Sequence, residues 1–167
     1  LDIYFEQISG LIAGGIDLIL IETMLTTYEA NSAINAAKKA GAELTGVSFT
    51  FEKHNNSFYT PYGEELNDVV KVMEKTEIDF FGANCCNGFN SMKELAAKLK
   101  ERSHIPVIVQ PNAGIPILEN GRYIYNETKE MFLEFAIYAN SIGVEFIGGC
   151  CGTGPDYIKA AVDALKK

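Results

Sequence analysis

Four short segments share one design: GIDLIL (15–20), GAELTG (41–46), EIDFFG (77–82) and GVEFIG (143–148). Each opens on glycine or a polar residue, places an acidic residue third and then runs apolar. HIPVIVQ (104–110) has similar length and apolarity, with Pro106 at its edge. Near-continuous apolar runs are the habit of parallel strands covered on both faces. The repeat predicts five strands, at about 17–22, 44–50, 79–83, 106–110 and 145–148.

Helical patterns fill the gaps. Thr26 and Glu29 form a capping box ahead of an alanine-rich helix that runs to about Lys39 and stops at Gly41. Residues 63–75 space Leu66, Val69, Val70 and Met73 on one helical stripe. Ser91 and Glu94 read as a second capping box, opening a helix to about Lys100. Asn126 is the expected cap of a helix burying Met131, Phe132, Phe135 and Tyr138. A last helix starts near Pro155 and carries Ile158, Ala161, Val162 and Leu165. The first ten or so residues read as the end of a further helix.

Alternating strand and helix imply a parallel α/β sheet with right-handed crossovers. Two architectures remain open: a five-stranded doubly wound domain, or one part of an eight-stranded (β/α)8 barrel. Opening on a helix favours the barrel, because a doubly wound domain usually opens on a strand. The longest irregular stretches, 51–62 and 111–125, both follow strands. They therefore lie at the C-terminal edge of the sheet, where either fold keeps its site.

Cysteine pairs stand at two glycine-flanked bends on that edge, Cys85-Cys86 in GANCCNG and Cys150-Cys151 in FIGGCCGTGP. Zinc prefers tetrahedral sulfur and nitrogen ligands, and a catalytic site keeps one position open. Thiolates from Cys85, Cys150 and Cys151 would satisfy that rule, with Gly149 and Gly152 letting the chain turn both neighbouring sulfurs inward. The bland alternative is that these are buried structural thiols. No nucleotide-binding glycine loop and no nucleophile elbow occurs. GGCCGTGP before a helix offers backbone amides of residues 152–156 to an anion.

Composition narrows the partners. A net charge of −8 argues against nucleic acid and anionic membrane. No apolar run approaches a membrane span, and the N-terminal residues do not read as a signal peptide. Four cysteines without a leader suggest reduced thiols and a cytoplasmic setting. Among single residues, Glu22 ends an apolar strand and is a candidate partner for a substrate ammonium group, with a capping or solvated acid as the alternative. His54 lies in a rim loop and reads as a surface residue. His104 precedes a strand at the opposite edge. Asn112 in QPNAG reads as a turn former.

Taken together and in order, GANCCNG, QPNAGIP and GGCCGTGPDYI resemble the homocysteine S-methyltransferase family, supported by GIDLILIET and EQISGLIAGG. The likeness runs over essentially the whole chain and leans toward the homocysteine-binding modules of the family's cobalamin-dependent branch. It implies a (β/α)8 TIM-type barrel of which residues 1–167, as a single domain, supply strands four to eight. It implies zinc held by Cys85, Cys150 and Cys151, with Cys86 as an extra thiol. It implies that Glu22 contacts the substrate amino group and that Asn84 and Asn112 shape the pocket. Homocysteine would be the substrate and methionine the product. The methyl donor would be methylcobalamin, S-methylmethionine or a betaine-like compound, and cobalamin and folate would sit on other domains. The barrel's first three strands have no counterpart here. A fragment is therefore expected, able to bind zinc, weak or inactive alone, and prone to self-association through exposed edges. The competing expectation is a non-catalytic doubly wound domain with structural or redox-responsive cysteines.

Overall fold

A computed structural model describes residues 2–166. The elements run α1 (Asp2–Ala13), β1 (Ile19–Met24), α2 (Thr27–Ala40), β2 (Thr45–Phe49), β3 (Glu52–His54), β4 (Ser57–Tyr59), α3 (Leu66–Met73), β5 (Phe80–Cys85), α4 (Phe89–Arg102), β6 (Val107–Pro111), β7 (Ile117–Glu119), β8 (Arg122–Ile124), α5 (Lys129–Ser141), β9 (Phe146–Ile147) and α6 (Pro155–Leu165). The five strands of the sequence repeat, β1, β2, β5, β6 and β9, form one parallel sheet in that order.

An order that never reverses keeps every right-handed crossover on the same side of the sheet. A doubly wound sheet requires a reversal and helices on both sides. The doubly wound alternative is thereby corrected: this sheet is singly wound. Alternation along the strands agrees. Ile19, Ile21, Val47, Phe49, Phe81, Ala83, Val107 and Val109 share one hydrophobic cluster with buried residues from all six helices.

The opposite face carries the intervening residues. Toward the strand N-termini it is apolar, with Leu18 43% and Phe146 41% exposed and Phe80 and Ile108 buried outside the helix-side cluster. Toward the C-termini it turns polar, with Glu22, Ser48, Asn84 and Gln110. This face is concave. Gln110 Nε2 on β6 donates to Glu22 Oε1 on β1 at 2.7 Å, although the two strands stand three steps apart, about 14 Å along a flat sheet. The Phe80 and Phe146 rings, from strands two steps apart, lie 4.7 Å apart. Two glycines permit the close contacts beneath: a Cβ at Gly46 would fall 2.0 Å from the Phe80 ring, and one at Gly82 would fall 1.7 Å from the Ile108 carbonyl oxygen.

Local expectations divide. The Thr26 cap forms, its hydroxyl accepting from Glu29 N at 3.2 Å, and Gly41 closes α2 at φ 84°. The Ser91–Glu94 box does not. Helix α4 begins three residues earlier, at Phe89, whose amide donates to Glu127 Oε2 at 2.6 Å, and Glu94 instead pairs with Lys53. A carboxylate from another loop does the capping, so no local pattern was needed. Thr128 rather than Asn126 caps α5, accepting from Met131 N at 3.4 Å. Met131 is exposed and Tyr138 half-buried, whereas Phe132 and Phe135 are buried. On α6, Ala161 is buried but Ile158 and Val162 stay exposed. The two stretches read as irregular each fold an antiparallel hairpin, β3–β4 and β7–β8.

Candidate metal centre

The strand C-termini converge on three sulfurs. Cys85 ends β5, and Cys150 and Cys151 follow β9. Cys85 Sγ lies 3.2 Å from Cys150 Sγ, which lies 3.9 Å from Cys151 Sγ. All three sulfurs fall within 4.8 Å of one another, and among the described residues no His, Asp, Glu or fourth Cys joins them. Four sulfur ligands at about 2.3 Å from zinc stand about 3.8 Å from each other. The observed separations bracket that value, so this donor set fits zinc with three protein ligands.

Backbone strain and a lattice of hydrogen bonds build the cluster. Cys85 and Cys86 adopt φ 62° and 60°, and Thr23, at the end of β1, adopts φ 59°. L-residues avoid this region, and a β-branched one strongly so. Such outliers persist only where the surroundings overdetermine them, and they concentrate at functional sites. Here Asn84 does much of the holding. It is fully buried. Its Oδ1 accepts from Thr23 N at 2.9 Å and from Ser48 Oγ at 2.8 Å. Its Nδ2 donates to Thr23 Oγ1 at 2.6 Å and toward Cys150 Sγ at 3.8 Å.

Asn112 fastens two ligand loops together. Its amide donates to the Cys85 carbonyl at 3.1 Å, and its Oδ1 accepts from Cys151 N at 3.1 Å. Cys150 N donates to the Pro111 carbonyl and Ala113 N to the Cys151 carbonyl, each at 2.9 Å. Gly152 takes φ 81°, as its flanking position suggested. Gly149 has no positive φ; it is glycine for space, since a Cβ there would meet Thr153 Oγ1 at 2.2 Å. Thr153 Oγ1 in turn donates to the Cys150 carbonyl at 2.7 Å.

These contacts set the thiol acidities of the metal-free site. Cys150 is pushed down to about 5, first by the hydrogen bond from Cys85 and next by Asn84, against the opposing effect of burial. Cys85 is driven far above the ordinary thiol range, first by that same bond to Cys150, then by burial and the neighbouring thiols. The two thiols titrate as a coupled pair that shares one proton around neutral pH. Cys86 is buried, is raised to about 11 chiefly by desolvation, and stands outside the trio, its Sγ 3.8 Å from the Asn84 carbonyl.

Glu22 stands exposed on the concave face, its carboxylate held by Gln110 one residue from the Thr23–Asn84 link. His54 sits exposed in β3, 3.6 Å from Glu52, and is not part of the sulfur cluster. His104 is exposed at the opposite edge. The N-terminal end of α6, expected to offer amides to an anion, carries the Asp156 carboxylate in its first turn. Thr23, Ser48, Gln110 and Tyr125 surround the site yet escaped sequence reasoning. Ser48 and Gln110 read as ordinary strand residues, Thr23 lay just past the expected first strand, and Tyr125 lay in a stretch read as irregular.

The chain matches the family model described as Homocysteine S-methyltransferase over residues 1–165. It is 30% identical over 174 residues to the methionine synthase of Mycobacterium tuberculosis and 29% identical over 172 residues to that of Mycobacterium leprae. Each alignment takes in 99% of this chain, which spans 14% of the length of those relatives. In three dimensions it resembles the homocysteine methyltransferase MmuM from Escherichia coli. The metallated form superposes with TM-score 0.69 and the apo form with 0.70, both at 21% identity. Those matches cover 96% of this chain and 51% and 56% of the two MmuM chains, a likeness of fold.

Proposed function

The chain belongs to the homocysteine S-methyltransferase family, and on that premise we propose that it is the zinc-binding part of a module that methylates homocysteine to methionine. The observation that carries this reading is the cluster of three thiols, closed to within 4.8 Å at the strand C-termini with no fourth protein ligand among the described residues. Cys85, Cys150 and Cys151 hold the metal. Zinc bound there supplies Lewis acidity that keeps a substrate sulfur in its nucleophilic thiolate form at neutral pH. Asn84 sets the orientation of Cys150 and ties it to β1. Asn112 locks the Cys85 and Cys151 loops in register. Glu22, steadied by Gln110, offers its carboxylate to the substrate ammonium group. The substrate sulfur then displaces the donor's leaving group at the methyl carbon.

The five β/α units are one section of a closed eight-stranded barrel, equivalent to strands four to eight. The unreversed strand order, the curl of the sheet and the 51–56% coverage of the MmuM chains support this. The apolar end of the concave face is then the barrel interior. In these residues alone it invites self-association, and the transferase activity is weak. The methyl donor is methylcobalamin, presented with its folate source by other domains of a longer protein. The methionine synthase relatives, of which this chain spans 14%, support that arrangement.

Elemental analysis of the reduced, zinc-supplemented chain tests the reading, with Cys85→Ser and Cys150→Ser in parallel. About one zinc per chain, lost in both variants, is expected. Absence of stoichiometric zinc in the unmodified chain refutes the metal-centre reading for this stretch.

A further inference from the structure

The bend that carries Cys85 is strained along its length. Cys85, Cys86 and Gly88 take φ 62°, 60° and 93°, and L-residues hold such values only where outside contacts enforce them. Asn84 and Asn112 hold its first end. Its second end runs into α4, whose N-cap, Gly88, has no side chain to offer the helix. Glu127 takes that place from 38 residues away, its Oε2 accepting from Phe89 N at 2.6 Å. A carboxylate also suits the positive end of the helix dipole.

The fit around this side chain is close. A Cβ on Gly88 would stand 2.4 Å from Glu127 Oε1, and one on Gly114 would stand 3.2 Å from Glu127 Cγ. Glycines on two different loops thus leave the space that it fills. The backbone of Glu127 reaches the other thiol loop through a single residue. Glu127 N donates to the Ala113 carbonyl at 3.1 Å, and Ala113 N donates to the Cys151 carbonyl at 2.9 Å. Ala113 is fully buried, so neither bond competes with water. From α6, Tyr157 Oη donates to the Glu127 carbonyl at 3.0 Å.

We propose that Glu127 is a positioning residue of the sulfur cluster: its side chain pins the end of the Cys85 bend, its backbone is tied through Ala113 to Cys151, and together they fix the spacing of the two thiol loops. Glu127 stands outside the cluster itself. It acts by reach, through an acceptor held at Phe89 N and a side chain that fills the space between Gly88 and Gly114. The consequence for metal affinity rests on the three-thiolate reading of the site; the loop spacing does not.

Glu127→Ala, Glu127→Asp and Glu127→Gln in the full chain test this. In reduced, metal-free protein, dibromobimane bridges neighbouring thiols. Peptide mapping then compares bridges from Cys85 to the Cys150–Cys151 loop with bridges inside that loop. Glu127→Asp is one methylene short of Phe89 N, so it lowers the ratio several-fold, as does Glu127→Ala. Glu127→Gln keeps the reach and an acceptor, and restores the ratio. Val69→Ala truncates a fully buried side chain on α3; it lowers the urea midpoint and leaves the ratio alone, which separates positioning from general stability. In zinc-loaded protein, competition with a chromogenic chelator shows affinity about tenfold weaker in Glu127→Asp, the scale of outer-shell losses. An unchanged bridging ratio in Glu127→Asp, or an equal fall in Val69→Ala, overturns the proposal. Failure of Glu127→Gln to restore the ratio overturns reach as the operative feature. If Glu127→Ala does not fold, the Asp and Gln variants still decide. If the unmodified chain takes up no zinc, the three-thiolate reading falls by itself, and the bridging ratio still decides the role of Glu127.

Discussion

Asn84→Ala is the most informative single change in this molecule. Asn84 is fully buried and joins β1, β2 and the thiol cluster through four contacts. Removing it strands Ser48 Oγ, whose residue is also fully buried, at about 2 kcal/mol for an orphaned buried donor. Thr23 N loses its acceptor as well, but Thr23 is exposed and water can replace it, so that loss is about 1 kcal/mol. The sum is about 3 kcal/mol, and at a slope of about 2 kcal/mol per M the urea midpoint falls by about 1.5 M. Asn84→Asp is the companion. It keeps both accepted hydrogen bonds but buries a carboxylate, so it loses stability through desolvation instead. It also puts a carboxylate oxygen where Nδ2 stood, 3.8 Å from Cys150 Sγ. The bare interaction is about 4 kcal/mol at an effective dielectric of about 20, and solvent at half-exposed Cys150 removes most of it. A rise of about one pH unit in the Cys150 thiol is expected, read from the pH dependence of its alkylation in metal-free protein. A midpoint shift below about 0.5 M for Asn84→Ala, or an unmoved Cys150 titration in Asn84→Asp, refutes the role given to this side chain.

Gly82→Ala pushes a methyl group to within 1.7 Å of the Ile108 carbonyl oxygen between two paired strands; a loss of more than about 4 kcal/mol, or failure to fold, is expected in urea or thermal melts. The Cys150 thiol gives the metal-free protein a pH dependence. Its folded value of about 5 lies below that of an unfolded thiol, so folding releases a proton in between, and stability rises from pH about 5 to about 8.5. That contribution vanishes as pH falls through the folded value. Above about 8.5 the sign reverses, because the raised Cys85 keeps its proton when the unfolded thiol has lost it. Urea melts from pH 5.5 to 8 show the rise, and Cys150→Ser flattens it. Leu18→Lys and Phe146→Lys place charge on the exposed apolar end of the concave face, and light scattering after size exclusion then shows a shift toward monomer; a clean monomer in the unmodified chain at high concentration refutes self-association.

The five strands were legible because burial on both faces writes itself as an uninterrupted apolar run. The converging thiols were legible because a glycine-flanked bend after a parallel strand always lands on one edge. Sequence order alone left the winding open, since the doubly wound and singly wound arrangements share the same strand-helix alternation. Asn120 and Gly121, at φ 50° and 76°, are a two-residue hairpin turn between β7 and β8; the Asn-Gly pair is a hairpin signal that the reading of 111–125 as irregular passed over. The capping of α4 was not legible at all: Glu127 reaches it across 38 residues, and long-range caps leave no local trace. The same holds for Thr23, whose strained backbone makes sense only with Asn84 opposite it.

The unreversed strand order bears on how the molecule comes into being. Each parallel strand pairs with the one made just before it, so a growing chain can lay down its sheet unit by unit, needing only contacts a few dozen residues apart. The sulfur trio escapes that economy. Cys85 waits 65 residues for Cys150, and until β9 docks beside β6 only one of the three ligands is in place. On the three-thiolate reading, metal capture would be the last event of assembly and a report on its completion. A chain halted before Phe146 would carry the first four strands of the sheet and only Cys85 of the three candidate ligands, while one that retained zinc would, on the three-thiolate reading, have closed its final unit.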